Sequence, residues 1–277
     1  MQISGAARLR GGIQLKKAWF RITTVVLALA MGAAVLTGCG GSKDLLSQIK
    51  DKKVLVIGTS ADYEPYEYYN DQQQIVGFDI DIANRIASDL GVTLKIEEMG
   101  FDGLLTALTT GKIDMIIAGM NPTDERKKTV DFTDTYYTAT QNVLIRAADI
   151  DKFTTVESFK GVTVSVQKGS TQEEIATKQL TGATIESLEK VPDEVLNLQF
   201  KKSDAVVLEG PVAKNYAAAN PDLAVANFTF PDEGTKGSAI AVRKGNESFL
   251  NALNDSIRKM QSDGTMDAFI QKAFAGK

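Results

Sequence analysis

The chain has 277 residues, 43% hydrophobic and 24% charged, with 23 Gly and 6 Pro, a composition of one or two globular domains that excludes a disordered, collagen-like or polytopic membrane chain. It has no His and a single Cys, Cys39, which excludes Ser-His-Asp and Cys-His catalysis, His-ligated zinc or haem, an internal disulfide and a cysteine metal cluster. Its net charge of -4 supplies no basic field for nucleic acid, whose binding is dominated by phosphate neutralisation.

The first element in chain order reads as an address. Residues 1–38 hold Arg8, Arg10, Lys16, Lys17 and Arg21 and no acid, and residues 22–36 are apolar apart from two Thr and one Gly. A basic segment, an apolar segment of about fifteen residues and a small-residue cleavage site make a secretory signal. A transmembrane anchor is the alternative, but the stretch falls short of the roughly 20 residues a span needs. Leu36-Thr37-Gly38-Cys39 resembles a bacterial lipobox, which implies that Cys39 is acylated and becomes the N-terminus. Residues 39–51 then read as a polar tether, and lipid holds the protein outside the cytoplasm at the cell membrane. Loss of residues 1–38 removes five positive charges and no negative one, taking the net charge from -4 to -9, and removes Trp19, the only Trp.

From Lys53 onward strand and helix patterns alternate. Residues 54–57 are an apolar run ending at Gly58; Ile80, Ala83, Ile86, Ala87 and Leu90 recur at helical spacing before Gly91, a suitable C-cap. Val92, Leu94 and Ile96 alternate as a strand, Leu104, Leu105 and Leu108 mark a helix ended by Gly111, and 113–118 is a buried-strand run. The series restarts with a strand at 162–166, a helix at 171–180, a strand at 183–188, a helix at 193–202 and a strand at 205–208. This pattern predicts two α/β lobes, each a mostly parallel sheet flanked by helices. GKIDMIIAG (111–119) and KKSDAVVLEG (201–210) share Lys-x-Asp, an apolar strand and a Gly. After Gly237 come a strand within 238–245 and two helical patterns, with no third sheet for them to join. The tail is therefore expected back in the first lobe, giving lobe 1 as 52–138 and 236–277 and lobe 2 as 139–235. Two lobes joined by two crossings leave a cleft, a preferred place for a ligand.

GFDIDIANRIASDLG (77–91) resembles the signature of the family 3 solute-binding proteins of bacterial amino-acid ABC importers. GTSADYEPYEY (58–68), the stretch from Gly111 to Tyr137, VSVQKGSTQEE (164–174) and SDAVVLEGPVAKNY (203–216) follow in the family's order and spacing. The resemblance runs from Lys53 to Phe274. It implies the two-lobe type II periplasmic-binding-protein fold, closing like a flytrap on a small ligand. It also implies a monomer that uses no cofactor, binds an amino acid and delivers it to a membrane permease driven by a cytoplasmic ATPase.

An α-amino acid needs a carboxylate site, an ammonium site and a side-chain pocket. Arg126, in a basic run with Lys127 and Lys128, reads by itself as a solvated side chain; the resemblance makes it the carboxylate fork. Ser170 and Thr171 open a helix whose N–H groups suit an anion, although either can merely cap that helix with Glu173 or Glu174. The family position of the second carboxylate contact is Thr171. Glu209 ends a strand, where open sheets place ligands, and either caps the next helix or, by the resemblance, holds the ammonium. Gly119 and Asn121 match further end-group contacts; many relatives have Ser or Thr where this chain has Asn121. Tyr63 and Phe101 match the pair that sandwiches the ligand side chain, while Tyr68 and Tyr69 read as a packed loop. Ser60, Glu64, Ala118, Gln167 and Gln172 are the positions expected to set specificity.

Asp62, Glu64 and Glu67 give this region an acidic character that suits a cationic side chain. The wording GTSADY, AGMxPTxERKK and GSxQEE is also similar to arginine-binding members, although some basic-residue binders have Asp where this chain has Ser60. Arginine or lysine is thus the expected ligand, with glutamine or cystine next. Two other functions fit the same fold: a dehydratase-like enzyme, for which Glu209 could serve as acid or base, and a sensor that signals to a membrane partner. The Arg126, Thr171 and Glu209 set reads as capture of a zwitterion, not as catalysis.

Overall fold

The computed structural model describes residues 44–231 and 237–275. The signal segment, Cys39 and residues 40–43 of the tether lie outside the described residues. The rest of the tether is corrected. Asp44 accepts the Ser47 N–H at 3.2 Å and opens a helix, α1 (Leu45–Lys52). Leu45 and Ile49 lie on one face, four residues apart, and are buried beside the long helix Glu247–Ser262. A tether reading weighs the polar composition and misses this short apolar stripe. Lys53 then turns left-handed, φ 58°, into β1 (Val54–Thr59).

Three very short strands follow: β2 (Asp62–Tyr63), β3 (Glu67–Tyr69) and β4 (Ile75–Val76), which form their own antiparallel sheet. Strands of two or three residues are too short for an alternation pattern to announce them. Helix α2 (Phe78–Leu90) buries Phe78, Ile82 and Ile86, and Gly91 at φ 69° donates to the carbonyls of Ala87 and Ser88. β5 (Thr93–Glu98), α3 (Leu104–Thr109) and β6 (Met115–Ile116) complete a parallel β5-β1-β6 core. The ladder of β6 is shorter than the expected 113–118. The backbone keeps its register beyond both ends, because Asp114 and Ile117 donate to the carbonyls of Val56 and Gly58 at 2.8 and 3.2 Å. α4 (Asp124–Lys127) and β7 (Val130–Phe132) lead out of this sheet.

The second sheet begins with β8 (Gln141–Arg146) and continues through β9 (Thr163–Gln167), α5 (Thr171–Gln179), β10 (Thr184–Leu188), α6 (Val191–Gln199), β11 (Ala205–Glu209), α7 (Gly210–Ala219) and β12 (Leu223–Val225). Its order is β10-β9-β11-β8-β12. β13 (Ala241–Arg243) then pairs between β6 and β7, so the first sheet reads β5-β1-β6-β13-β7. α8 (Glu247–Ser262) and α9 (Thr265–Ala275) pack against each other and against α2.

The two-lobe α/β architecture matches the sequence expectation, with one difference. Each of the two five-stranded sheets is mixed, with two parallel and two antiparallel pairings. The parallel part is the βαβαβ core. The antiparallel part involves β8 and β13, which follow segments arriving from the other sheet and need no crossover helix of their own. The C-terminal ends of β1, β6, β9 and β11 converge on the cleft, where open sheets present ligand-binding residues.

Candidate ligand-binding cleft

Nine of the residues singled out from sequence line one small cavity between the sheets: Ser60, Tyr63, Phe101, Ala118, Gly119, Asn121, Gln167, Thr171 and Gln172. Asp62 and Glu67 line it too. The sequence points to their acidic character as suited to a cationic side chain but does not place them among the contact residues. Arg126 and Glu209 join the group through hydrogen bonds. Glu64 is half-buried and absent from the lining.

Asn121 connects the two charged ends. Its carbonyl accepts from Arg126 Nη1 at 2.8 Å, and its amide Nδ2 donates to Glu209 Oε1 at 3.2 Å. Arg126 also reaches the second lobe, donating from Nη2 to the Gly169 carbonyl at 3.0 Å. Its guanidinium stands 5.3 Å from the centre of the Phe101 ring, within cation–π range. Burial lowers Arg126 to about 10, with Glu174 opposing, so it stays charged at neutral pH. It is 8% exposed, which rules out the solvated-arginine reading.

Glu209 ends β11 in a fully buried position. Its carboxylate accepts from the Tyr66 hydroxyl and from Asn121, and its backbone N–H donates to Tyr63 Oη at 3.0 Å. Burial pushes the carboxyl up to about 7, against the pull of the Tyr66 and Asn121 hydrogen bonds. No side-chain cap bond runs from Glu209 to α7, so the capping alternative falls. Sequence reasoning missed Tyr66. Only its place in the cluster of four Tyr within residues 63–69 marked it.

The start of α5 divides the labour between its two hydroxyls. Ser170 accepts the Glu173 N–H at 3.1 Å and donates to the Gln167 carbonyl at 2.6 Å, so its side chain is a helix cap. Thr171 turns its hydroxyl to the cleft and donates to Asn121 Oδ1 at 2.5 Å. Gln172 donates to Tyr63 Oη at 3.2 Å and to Gln141 Oε1 at 2.9 Å. Asp62 crosses the cleft at the far side. It accepts from Gln167 Nε2 at 3.3 Å and from the Val191 N–H at 3.2 Å. Burial raises its carboxyl, with Lys190 the main opposing influence.

Beneath the cavity, Asp79 holds Gly119 in place. Its Oδ2 accepts the Gly119 N–H at 2.8 Å and the Tyr136 hydroxyl at 2.9 Å. Gly119 needs this support because it sits at φ 56°, and a Cβ there would meet the Tyr63 and Tyr66 rings at 3.4 Å. Burial raises Asp79 to about 6, and burial beside Asp79 raises Glu67 well above the usual range. Among the described residues no group of His, Cys, Asp and Glu could hold a metal ion, and no helix is long and apolar enough to cross a membrane.

The chain is similar to known proteins over most of its length. The chain is 37% identical over 258 residues to the arginine-binding extracellular protein ArtP of Bacillus subtilis (strain 168), covering 91% of this chain and 98% of that one. It is 30% identical over 250 residues to the L-cystine-binding protein TcyJ of Escherichia coli (strain K12), covering 90% and 93%. An amino acid ABC transporter substrate-binding protein from Streptococcus pneumoniae Canada MDR_19A, solved with L-arginine bound, superposes with a TM-score of 0.80 at 38% identity, over 83% of this chain and 98% of that one. The family model for bacterial extracellular solute-binding proteins, family 3, matches residues 55–276, and the chain belongs to that family.

Proposed function

We propose that the protein is the extracytoplasmic amino-acid-binding component of an ABC importer and that its ligand is arginine or another basic amino acid. The observation that carries this reading is Asn121, which touches Arg126 on one side and Glu209 on the other. That arrangement holds a buried cation and a buried carboxylate on two sides of one residue. The ligand carboxylate takes the guanidinium fork of Arg126 and the N-terminus of α5 at Thr171, while the ammonium takes Glu209 and the Gly119 carbonyl. Closing the cleft removes water, which strengthens both charge pairs. Tyr63 and Phe101 flank the side chain. Ser60, Ala118, Gln167 and Gln172 shape the rest of the pocket.

Arginine is favoured by two of the relatives and by the acids Asp62 and Glu67 in the lining. The amides of Gln167 and Gln172 keep glutamine or cystine as the second reading, with the cystine-binding relative in support. The lobes are taken as 52–138 with 236–277, and 139–235. The open form binds through one lobe, the second lobe closes, and the closed monomer docks on the permease. Cys39 carries the lipid that keeps it at the membrane.

Calorimetric titration with arginine, lysine, histidine, glutamine, glutamate and cystine tests this directly. One-to-one binding of arginine or lysine in the micromolar range, about -8 kcal/mol, supports the basic pocket. Binding of glutamine or cystine alone keeps the importer and refutes the basic ligand. Conversion of the ligand during long incubation would move the assignment to an enzyme.

A further inference from the structure

Helix α6 carries an acid where its pattern demands a hydrocarbon. Val191, Glu194, Val195 and Leu198 are its buried residues, spaced i, i+3, i+4 and i+7, which is the core-facing stripe of a helix. Glu194 is 0% exposed, and neither of its carboxylate oxygens has a hydrogen-bond partner among the described residues. A buried carboxylate without donors is costly. The same face holds Val191, whose N–H donates to Asp62 across the cleft at 3.2 Å. Glu194 thus sits one turn along α6 from an acid that lines the ligand cavity. The field of Asp62 is also the leading charge acting on Glu194.

We propose that Asp62 and Glu194 form a two-carboxylate receptor, assembled across the cleft by lobe closure, for the guanidinium of the ligand side chain. This rests on the amino-acid-binding reading above and deepens it by naming the side-chain chemistry. The donor count supports it. A guanidinium presents five N–H donors in a plane, and Glu194 offers two oxygens with nothing to accept. Asp62 is already held by Ser60, Gln167 and Val191, so it is fixed in place to receive a cation. Each lobe contributes one carboxylate, so a cationic side chain also draws the lobes together.

The charged and titratable groups around the pair are Lys190 just before α6 and Asp193 on it, Glu67 and Tyr63 on the β2–β3 hairpin, and Tyr216 on α7. Burial raises both carboxyls of the pair. A cation favours their ionised forms, so binding it releases protons.

The test compares L-arginine with L-citrulline, the isostere in which a neutral urea replaces the guanidinium. Affinities are measured by calorimetry for the wild type, Asp62→Asn and Glu194→Gln. The expected result is a fall in the arginine-to-citrulline affinity ratio of at least tenfold in each variant. In the wild type near pH 6.5, titrations in two buffers of different ionisation enthalpy should show arginine releasing more protons than citrulline. The proton count needs no variant and holds even if a substitution prevents folding. Arginine binding with an unchanged ratio, or with equal proton release, overturns the pair and leaves the importer reading standing. A wild type that binds neutral amino acids and no cationic one overturns the pair and the basic ligand together.

Discussion

In the first lobe Asp114, just before β6, accepts the Val56 N–H at 3.0 Å and donates its own N–H to the Val56 carbonyl at 2.8 Å. In the second lobe Asp204, just before β11, makes the same pair of bonds with Thr163, at 3.1 and 2.7 Å. An arginine from the adjoining antiparallel strand completes each floor. Arg243 lies 3.8 Å from Asp114 and donates to the Leu108 and Ile113 carbonyls; Arg146 lies 3.0 Å from Asp204 and donates to the Leu198 and Ser203 carbonyls. The phrase shared by the two halves of the sequence is therefore a shared piece of carpentry. At the other end of the same strands the likeness stops. β6 runs on to Ala118 and Gly119, which offer backbone groups, and β11 ends on the Glu209 carboxylate. The two lobes keep one way of locking strands and differ where the strands meet the cleft.

The rims should carry binding and the floors should carry stability. The largest effect is expected from Arg126→Ala or Glu209→Ala. Each leaves a charged ligand end unpaired in a buried site, which costs about 2–5 kcal/mol of binding. Calorimetry should show the loss for every amino acid tested, and a variant with full affinity would break the division. Next come Asp114→Ala and Asp204→Ala. Each orphans a backbone N–H and takes one carboxylate from an arginine that keeps its carbonyl partners, so stability should fall by about 1–3 kcal/mol in urea unfolding, more for Asp204 because its arginine is nearer. Ligand affinity should change much less than in the rim variants. Equal losses of affinity at floor and rim would end the comparison.

A third expectation concerns pH. Glu209 has its carboxyl raised from 4.5 to about 7, and Asp79 from 3.8 to about 6, by burial. The folded protein then binds protons more tightly than the unfolded chain across that window. Stability without ligand is therefore greatest below about pH 3.8 from these two groups and falls as pH rises to about 7. Glu209→Gln should flatten this slope in urea unfolding at a series of pH values, and an unaltered slope would show that Glu209 does not titrate there. The smallest effect is expected at the cleft's outer edge. Lys190 bridges to Glu98 at 2.6 Å between half-exposed side chains, a pair worth about 0–1 kcal/mol. Lys190→Ala should weaken ligand binding only slightly and reduce its sensitivity to salt.

Much of the scaffold was legible because its signals are long. The helix ending at Gly91, the Val162–Val166 alternation and the apolar run after Asp204 each span a full element. Of the cleft residues, Thr171 and Glu209 were legible as one of two readings each, and Arg126 only through resemblance, since an arginine in a basic run says nothing of its burial. Tyr66 and Glu194 stayed hidden for a different reason. Their roles come from partners or surroundings distant in sequence: Tyr66 meets Glu209 from 143 positions away, and Glu194 matters only because Asp62 lies across the cleft. Helix α1 was missed because two apolar residues among polar ones look like a linker until a second helix covers them.

The central claim is that the cleft grips both ends of an amino acid, one charge on Arg126 and the other on Glu209. Competition calorimetry with L-arginine, arginine methyl ester and N-acetyl-arginine tests it most directly. The ester lacks the carboxylate charge and the acetyl compound lacks the ammonium. The account predicts that each binds at least a hundredfold more weakly than arginine, about 2.7 kcal/mol. An ester or acetyl derivative that binds as tightly as arginine would contradict it.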